Sequence, residues 1–171
     1  MLIRRVTPAD RAAVRAVTAA AAYKPRDEVP VEVSLADALR DGSWALPALS
    51  LLAESAEGEV IGHALCSWGR IGAARTANLS LLGVHPAHRR RGAGSALIHA
   101  LLGAAEALDL PLIVVLGDPE LYGRHGFRPS TDVGIVGQEP GWGDVFQVRT
   151  LTAYDRSIQG EFIYPEPFGD V

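Results

Sequence analysis

A single cysteine, Cys66, stands in this chain of 171 residues. That scarcity excludes an intrachain disulfide and a thiolate cluster for zinc, and it favours a reducing compartment. Lysine is as rare: of the sixteen basic residues only Lys24 is not an arginine. A phosphate loop of the Gly-Lys-Ser/Thr type is thereby excluded. Codon usage is the first reading of the arginine bias, and a preference for planar, bidentate contacts is the second. Long apolar runs are missing too. The longest, around Leu46–Ala53 and Leu112–Leu116, cannot span a bilayer. The opening "MLIRRVTPADRAAV" carries charge but no apolar core of signal-peptide length. A cytoplasmic protein without a membrane partner is the expectation. No excess of positive charge is present either. The formal charge of −4 argues against a nucleic-acid binder.

What is there suits one domain spanning 1–171. Apolar residues make up 48% and charged ones 21%, enough to bury roughly 70% of the unfolded surface. Leu2–Arg5 reads as a strand, and Thr7, Pro8 and Asp10 form the start signal of a helix running to about Ala22. After a polar stretch from Lys24 to Pro30, Ser34 and Asp37 open a second short helix that Gly42 ends. "LSLLAESAEGEVIGHALCSW" has the pattern of a hairpin turning at Ala56 to Gly58, and "TANLSLLGV" is a further strand. From Gly94 to Leu108 the residues Leu97, Leu101, Leu102, Ala105 and Leu108 recur with helical period. "LIVVL" at 112–116 is a buried strand, Asp118-Pro119 caps a brief helix ended by Gly126, and "DVFQVRTL" and "GEFIYP" are late strands. The order specifies an α+β domain with a mixed, mostly antiparallel sheet.

"VHPAHRRRGAGSAL" places three arginines and two glycines between a strand and a helix. Helix N-termini present unpaired N–H groups and partial positive charge, so this arrangement favours phosphate. Gly92 and Gly94 leave the main chain approachable. A dinucleotide fingerprint fails, because Leu97 holds its third glycine position and seven residues separate Val84 from Gly92. What fits is Arg89-x-x-Gly92-x-Gly94 after Val84-His85-Pro86. This resembles the acetyl-CoA signature of the GNAT superfamily of N-acetyltransferases. "IRRVTPAD", "LLAESAEGEVIGHAL", "LGDPELYGRHGF" and the late "YPEPF" are similar to its YhbS-like branch, with a weaker match from Ser130 to Asp144.

The resemblance implies the GNAT (acyl-CoA N-acyltransferase) fold, a twisted sheet flanked by helices and splayed between its fourth and fifth strands. It also implies acetyl-CoA as cosubstrate, a primary amine as acceptor, and direct attack without an acyl-enzyme. Carried over by motif, the backbone of Leu82, Gly83 and Val84 faces pantetheine, with Gly83 permitting a bulge. Arg89, Arg90, Arg91, Gly92, Ala93, Gly94 and Ser95 cradle the pyrophosphate. Tyr122, four residues before Gly126-Phe127, matches the family tyrosine that protonates or hydrogen-bonds the departing sulfur. A phenol suits that task because it stays protonated at neutral pH. Many members carry a cofactor-contacting asparagine where Val115 stands, so that contact is not transferred.

The general base stays open among Ser80, which could relay a proton through water, Asn78, Glu54 and His63. His125 either lines the acceptor site or is a packed imidazole. Cys66 reads as a buried small hydrophobe. His85 and His88 lack a carboxylate at helical spacing, so no metal is expected. Acceptor specificity is assigned to 22–44, 69–74 and 130–144, with Trp44, Trp68 and Trp142 as candidates for an aromatic wall. An exposed sheet edge leaves room for a homodimer. The alternative function is a CoA-binding sensor or interaction module without transfer chemistry, and the presence of Tyr122 favours the enzyme.

Overall fold

A computed structural model describes residues 1–22 and 29–170. The expected polar stretch lies outside them up to Glu28. In chain order the elements are β1 (Leu2–Arg5), α1 (Arg11–Ala21), α2 (Val31–Asp41), β2 (Ala45–Glu54), β3 (Val60–Ile71) and β4 (Ala74–Val84). There follow α3 (Ala93–Ala107), β5 (Leu112–Leu116), α4 (Pro119–Gly123), β6 (Arg128–Pro129), β7 (Ile135–Val136), β8 (Phe146–Thr150) and β9 (Gly160–Ile163). None of the described helices is long and apolar enough to cross a membrane.

The sheet runs in the order β1-β2-β3-β4-β5-β8-β6, with β9 pairing to both β3 and β7. Every neighbour pair along that order is antiparallel except β4 and β5. Those two are parallel and meet only at Ala77 with Ile113 and Asn78 with Val114. Beyond Asn78 the strands part, which is the splay expected between the fourth and fifth strands. The crossover between them is α3, as a parallel pair requires.

Helix α3 covers one face. Its Leu97, Ile98, Leu101 and Ala105 pack with Ala64 and Cys66 of β3, Ala77 and Leu79 of β4, and Val115 of β5. The buried stripe therefore includes Ile98, while Leu108, expected on it, is the exposed residue that ends the helix. On the other face Leu35, Ala36 and Leu39 of α2 pack on Leu65. Further along that face Leu112, Val114, Phe146, Val148 and Phe162 form a separate cluster. The space between these two clusters lies directly over the splay.

Two helix starts differ from their sequence signals. Pro8–Asp10 is a 3-10 turn before α1, held by Asp10, whose carboxylate accepts from the Thr7 N–H at 2.8 Å and pairs with Arg4 at 2.8 Å. The Arg4 hydrogen bonds keep that carboxyl well below the usual carboxylate range. Helix α2 begins at Val31, not at Ser34, because the Pro30 carbonyl accepts from Val33 N–H at 2.9 Å and from Ser34 N–H at 3.3 Å. Asp37, expected near the helix start, is instead mid-helix and pairs with Arg15 and Arg11 of α1.

The strand irregularity also sits elsewhere than expected. Leu65 pairs with Leu81 and Cys66 with Leu79, leaving Ser80 as the extra residue of a bulge. The insertion resets the alternation, so Ala77 and Leu79 share the α3 cluster with Leu82 and Val84. Gly83 is in register with His63 and forms no bulge. A Cβ there would stand 2.8 Å from the Ala21 Cβ, so this glycine admits the end of α1 against the strand.

Candidate active site

Past β4, Pro86–His88 makes a 3-10 turn and the chain enters the arginine loop. Arg90 has φ +60° and Gly92 φ +88°, so left-handed residues alternate with ordinary ones ahead of α3. Alternation of that kind points successive amides into one concavity. The N–H groups of Arg90, Arg91, Gly92, Ala93, Gly94 and Ser95 donate to no described residue. Six amides at a helix N-terminus are thus free for an anion. The glycines have different reasons. Gly92 is required by its positive φ, since a Cβ there would meet nothing within 4 Å. At Gly94 a Cβ would lie 3.7 Å from Val84 Cγ2, an ordinary contact.

The arginines divide. Arg89 Nε donates to Val84 O at 3.1 Å and Nη2 to Ala21 O at 3.0 Å. It ties the end of α1 to the end of β4 and thereby shapes the loop from behind. Arg90 and Arg91 are exposed and form no ion pair among the described residues. Along β4, Leu82, Gly83 and Val84 pair only with β3, leaving their other edge open where β5 has diverged.

Tyr122 stands on the α3 side. Asp118 caps α4 by accepting from Glu120 N–H at 2.9 Å, as its sequence position implied, so its carboxylate is committed to the backbone. Gly126, at φ +77°, turns the chain back, and His125 and Phe127 N–H both donate to Tyr122 O. That reversal explains the Tyr-x-x-x-Gly-Phe spacing: it lays Phe127 edge-on to Tyr122 with ring centroids 5.6 Å apart. The other side of the Tyr122 ring rests on Gly117, where any side chain would strike Cε2. Burial, aided by neighbouring Cys66 and Asp118, pushes the phenol up to about 12. The hydroxyl therefore stays protonated through the physiological range.

The opposite face of the splay holds a cavity of about 530 Å³. Asn78 and Ser80 of β4 form its floor, and the exposed Leu116 of β5 with Trp142, Tyr164 and Phe168 stands around it. Ser80, brought there by the bulge, is bonded to Ser67 Oγ at 2.9 Å and to Asn78 Nδ2 at 3.1 Å. Of the three tryptophans only Trp142 lines this cavity. Trp68 instead stacks under Arg75, whose guanidinium carbon is 3.9 Å from the ring centroid. The segment 69–74 is absent from the lining, whereas the tail residues Tyr164, Glu166 and Phe168, unassigned by sequence, are part of it. The "YPEPF" motif was visible, but nothing local connects it to β4. Tyr122 does not line the cavity, so the two candidates Tyr122 and Ser80 lie on opposite sides of the splay.

Two other bases lose their candidacy here. His63 is 1% exposed, with Nε2 2.9 Å from Arg40 Nη2 and Nδ1 3.1 Å from Thr18 Oγ1. A guanidinium only donates, so Nε2 accepts and Nδ1 carries the proton. Burial, with Arg40 adding to it, brings this imidazole down to about 3, leaving it neutral and its lone pair engaged. Glu54 is paired with Arg4 at 2.9 Å on the β1–β2 edge. Burial pushes the Cys66 thiol up, so it is an inert packing residue. His125 sits on the α3 side, 3.4 Å from Ser95 Oγ and edge-on to His99.

A cradle of free amides, a strand with an open edge and a cavity behind the parting strands define an acyl-CoA-type transferase fold. The Acetyltransferase (GNAT) family model matches residues 14–127, and the chain belongs to that family. Over 162 residues the chain is 28% identical to the uncharacterized N-acetyltransferase YhbS of Escherichia coli (strain K12), covering 94% of this chain and 92% of that one. The crystal structure of Escherichia coli YhbS in complex with CoA matches with TM-score 0.86 at 25% identity, covering 98% of this chain and 91% of that chain. A GNAT family acetyltransferase from Brucella melitensis in complex with acetyl-CoA matches with TM-score 0.77 at 30% identity, over 98% and 97%.

Proposed function

We propose that the chain is an acetyl-CoA-dependent N-acetyltransferase that moves the acetyl group to a primary amine by direct attack. The observation that carries this reading is the run of six unpartnered amides, Arg90 to Ser95, set beside a strand edge that opens onto a cavity. Those amides hold the pyrophosphate, with Arg90 and Arg91 adding charge from the rim. The open edge of Leu82 to Val84 pairs with the pantetheine amides, which carries the thioester into the splay. The two solved relatives named above hold CoA and acetyl-CoA, which supports the donor assignment. The lone buried cysteine supports a reducing, cytoplasmic setting.

In the reaction the amine nitrogen attacks the thioester carbonyl, the C–S bond breaks, and CoA departs as a thiolate. Tyr122 faces that sulfur from the α3 side. A phenol near 12 is a far weaker acid than a thiol near about 8.5. Tyr122 therefore stabilises the thiolate chiefly by donating a hydrogen bond and does not surrender its proton. The proton lost by the amine leaves on the cavity side, through a water held by Ser80. Positioning of the two reactants supplies most of the acceleration.

Thermal stabilisation by CoA and thiol release with a broad amine panel test this reading. Both are expected, with turnover lowered about 10²-fold and CoA binding kept in Tyr122→Phe. A protein that binds neither CoA nor acetyl-CoA overturns it. Binding with no thiol released from any amine identifies a sensor instead.

A further inference from the structure

The cavity opposite α3 has a one-sided chemistry. Its charged lining residues are Glu139 and Glu166, and none of its described lining side chains is basic. Both glutamates are exposed, so they stand at the rim, whereas Ser80 lies at the floor beside the splay. Trp142, Tyr164 and Phe168 form a continuous wall between floor and rim. Trp142 and Tyr164 meet edge to face with ring centroids 5.8 Å apart, and Tyr164 and Phe168 are tilted by 46° with centroids 4.6 Å apart. Within that wall the Tyr164 hydroxyl is shielded from solvent and has no hydrogen-bond partner among the described residues.

From this arrangement we infer that the acceptor is a small amine bearing a second positive charge, a diamine or polyamine. The inference rests on the transfer reading of the same site. One amine reaches Ser80 at the floor, the aliphatic chain lies along the aromatic wall, and the second ammonium sits between Glu139 and Glu166. Aromatic faces attract ammonium groups, and the rim carboxylates add a screened Coulomb attraction. An acceptor with its own carboxylate, such as an amino acid, meets two like charges and no cation among the described lining residues. A neutral chain ending in a methyl group leaves both glutamates unused. The cavity volume of about 530 Å³ is large enough for such an amine.

Cadaverine, pentylamine and 5-aminopentanoate share one chain length and differ only at the far end. With acetyl-CoA, kcat/KM for cadaverine is expected to exceed that for pentylamine about tenfold, with 5-aminopentanoate the poorest. About 0.5 M NaCl compresses the ratio. The double variant Glu139→Gln/Glu166→Gln brings it towards one, mainly through KM. Equal kcat/KM for cadaverine and pentylamine, preference for 5-aminopentanoate, or an unchanged ratio in the double variant overturns the inference. Calorimetric binding of cadaverine and pentylamine to the CoA-saturated protein separates the two levels. Tighter cadaverine binding that the double variant loses, without thiol release, upholds the ligand class and defeats the transfer reading. Thiol release with no preference for cadaverine in binding or rate defeats the ligand class alone.

Discussion

On the α3 side of the β4–β5 opening, one continuous stretch from Leu82 to Ser95 provides both an open strand edge and six free amides. On the opposite side, the cavity draws on four separated pieces of chain: 78–80, 116, 138–142 and 164–169. The first side presents main-chain groups, which tolerate side-chain change but depend on backbone angles. The second presents side chains whose positions depend on packing between remote segments. A ligand part that is always the same suits the first design, and one that differs between enzymes suits the second.

Gly92→Asp tests the backbone half most severely. It forces a side chain into φ +88° and sets a carboxylate among the amides. CoA affinity measured by calorimetry is expected to fall about a hundredfold, since charge-assisted hydrogen bonds are worth more than neutral ones. Arg15→Ala, which removes only the ion pair to Asp37, leaves that affinity in place. Equal affinities for the two variants break the comparison.

Tyr122→Phe removes the hydroxyl proposed to donate to the thiolate, and the transfer rate in single-turnover measurements is expected to fall by about 10²-fold. Stability should barely move, because the hydroxyl bonds to no described residue. Gly117→Ala acts on the same ring from below. Overpacking against Tyr122 is expected to cost about 1–3 kcal/mol of unfolding free energy in urea titrations, with a parallel loss of kcat.

His63 gives a stability effect with a defined sign. Its folded pKa of about 3 lies below the unfolded value near about 6.5, so the unfolded chain binds more protons between those limits. Its contribution is complete above the upper limit and is lost as pH falls towards the lower one, at up to about 1.4 kcal/mol per pH unit. Urea midpoints of the wild type should fall more steeply below pH 6.5 than those of His63→Gln; parallel slopes would contradict a neutral buried imidazole. The smallest effects belong to Arg90→Ala and Arg91→Ala, each lowering CoA affinity about fivefold in a salt-dependent way. Losses larger than that of Gly92→Asp would move the recognition from backbone to charge.

How far each region could be read in advance follows the same division. The hairpin, β5, the Asp118 cap and the loop before α3 rest on neighbours in sequence, and their residues announced them. The Ser80 bulge did not, because it is a mismatch between two strands and leaves no mark in either one. The α2 start was misplaced because Ser34 and Asp37 are good caps in isolation, yet the Pro30 carbonyl had already satisfied the first amides. β6 and β7, at two residues each, are too short to show a period. Arg89 was placed by its signature, but its bonds to Ala21 and Val84 join segments far apart in the chain.

By itself the sequence determined the α+β order, the family resemblance and the glycine loop, since these depend on periodicity and on backbone freedom at single positions. Only the tertiary structure decided that Ser80 reaches the cavity floor, that His63 is neutral and engaged, and that the C-terminal aromatics wall the same cavity. Each of those depends on contacts between residues far apart along the chain, made once the core has packed.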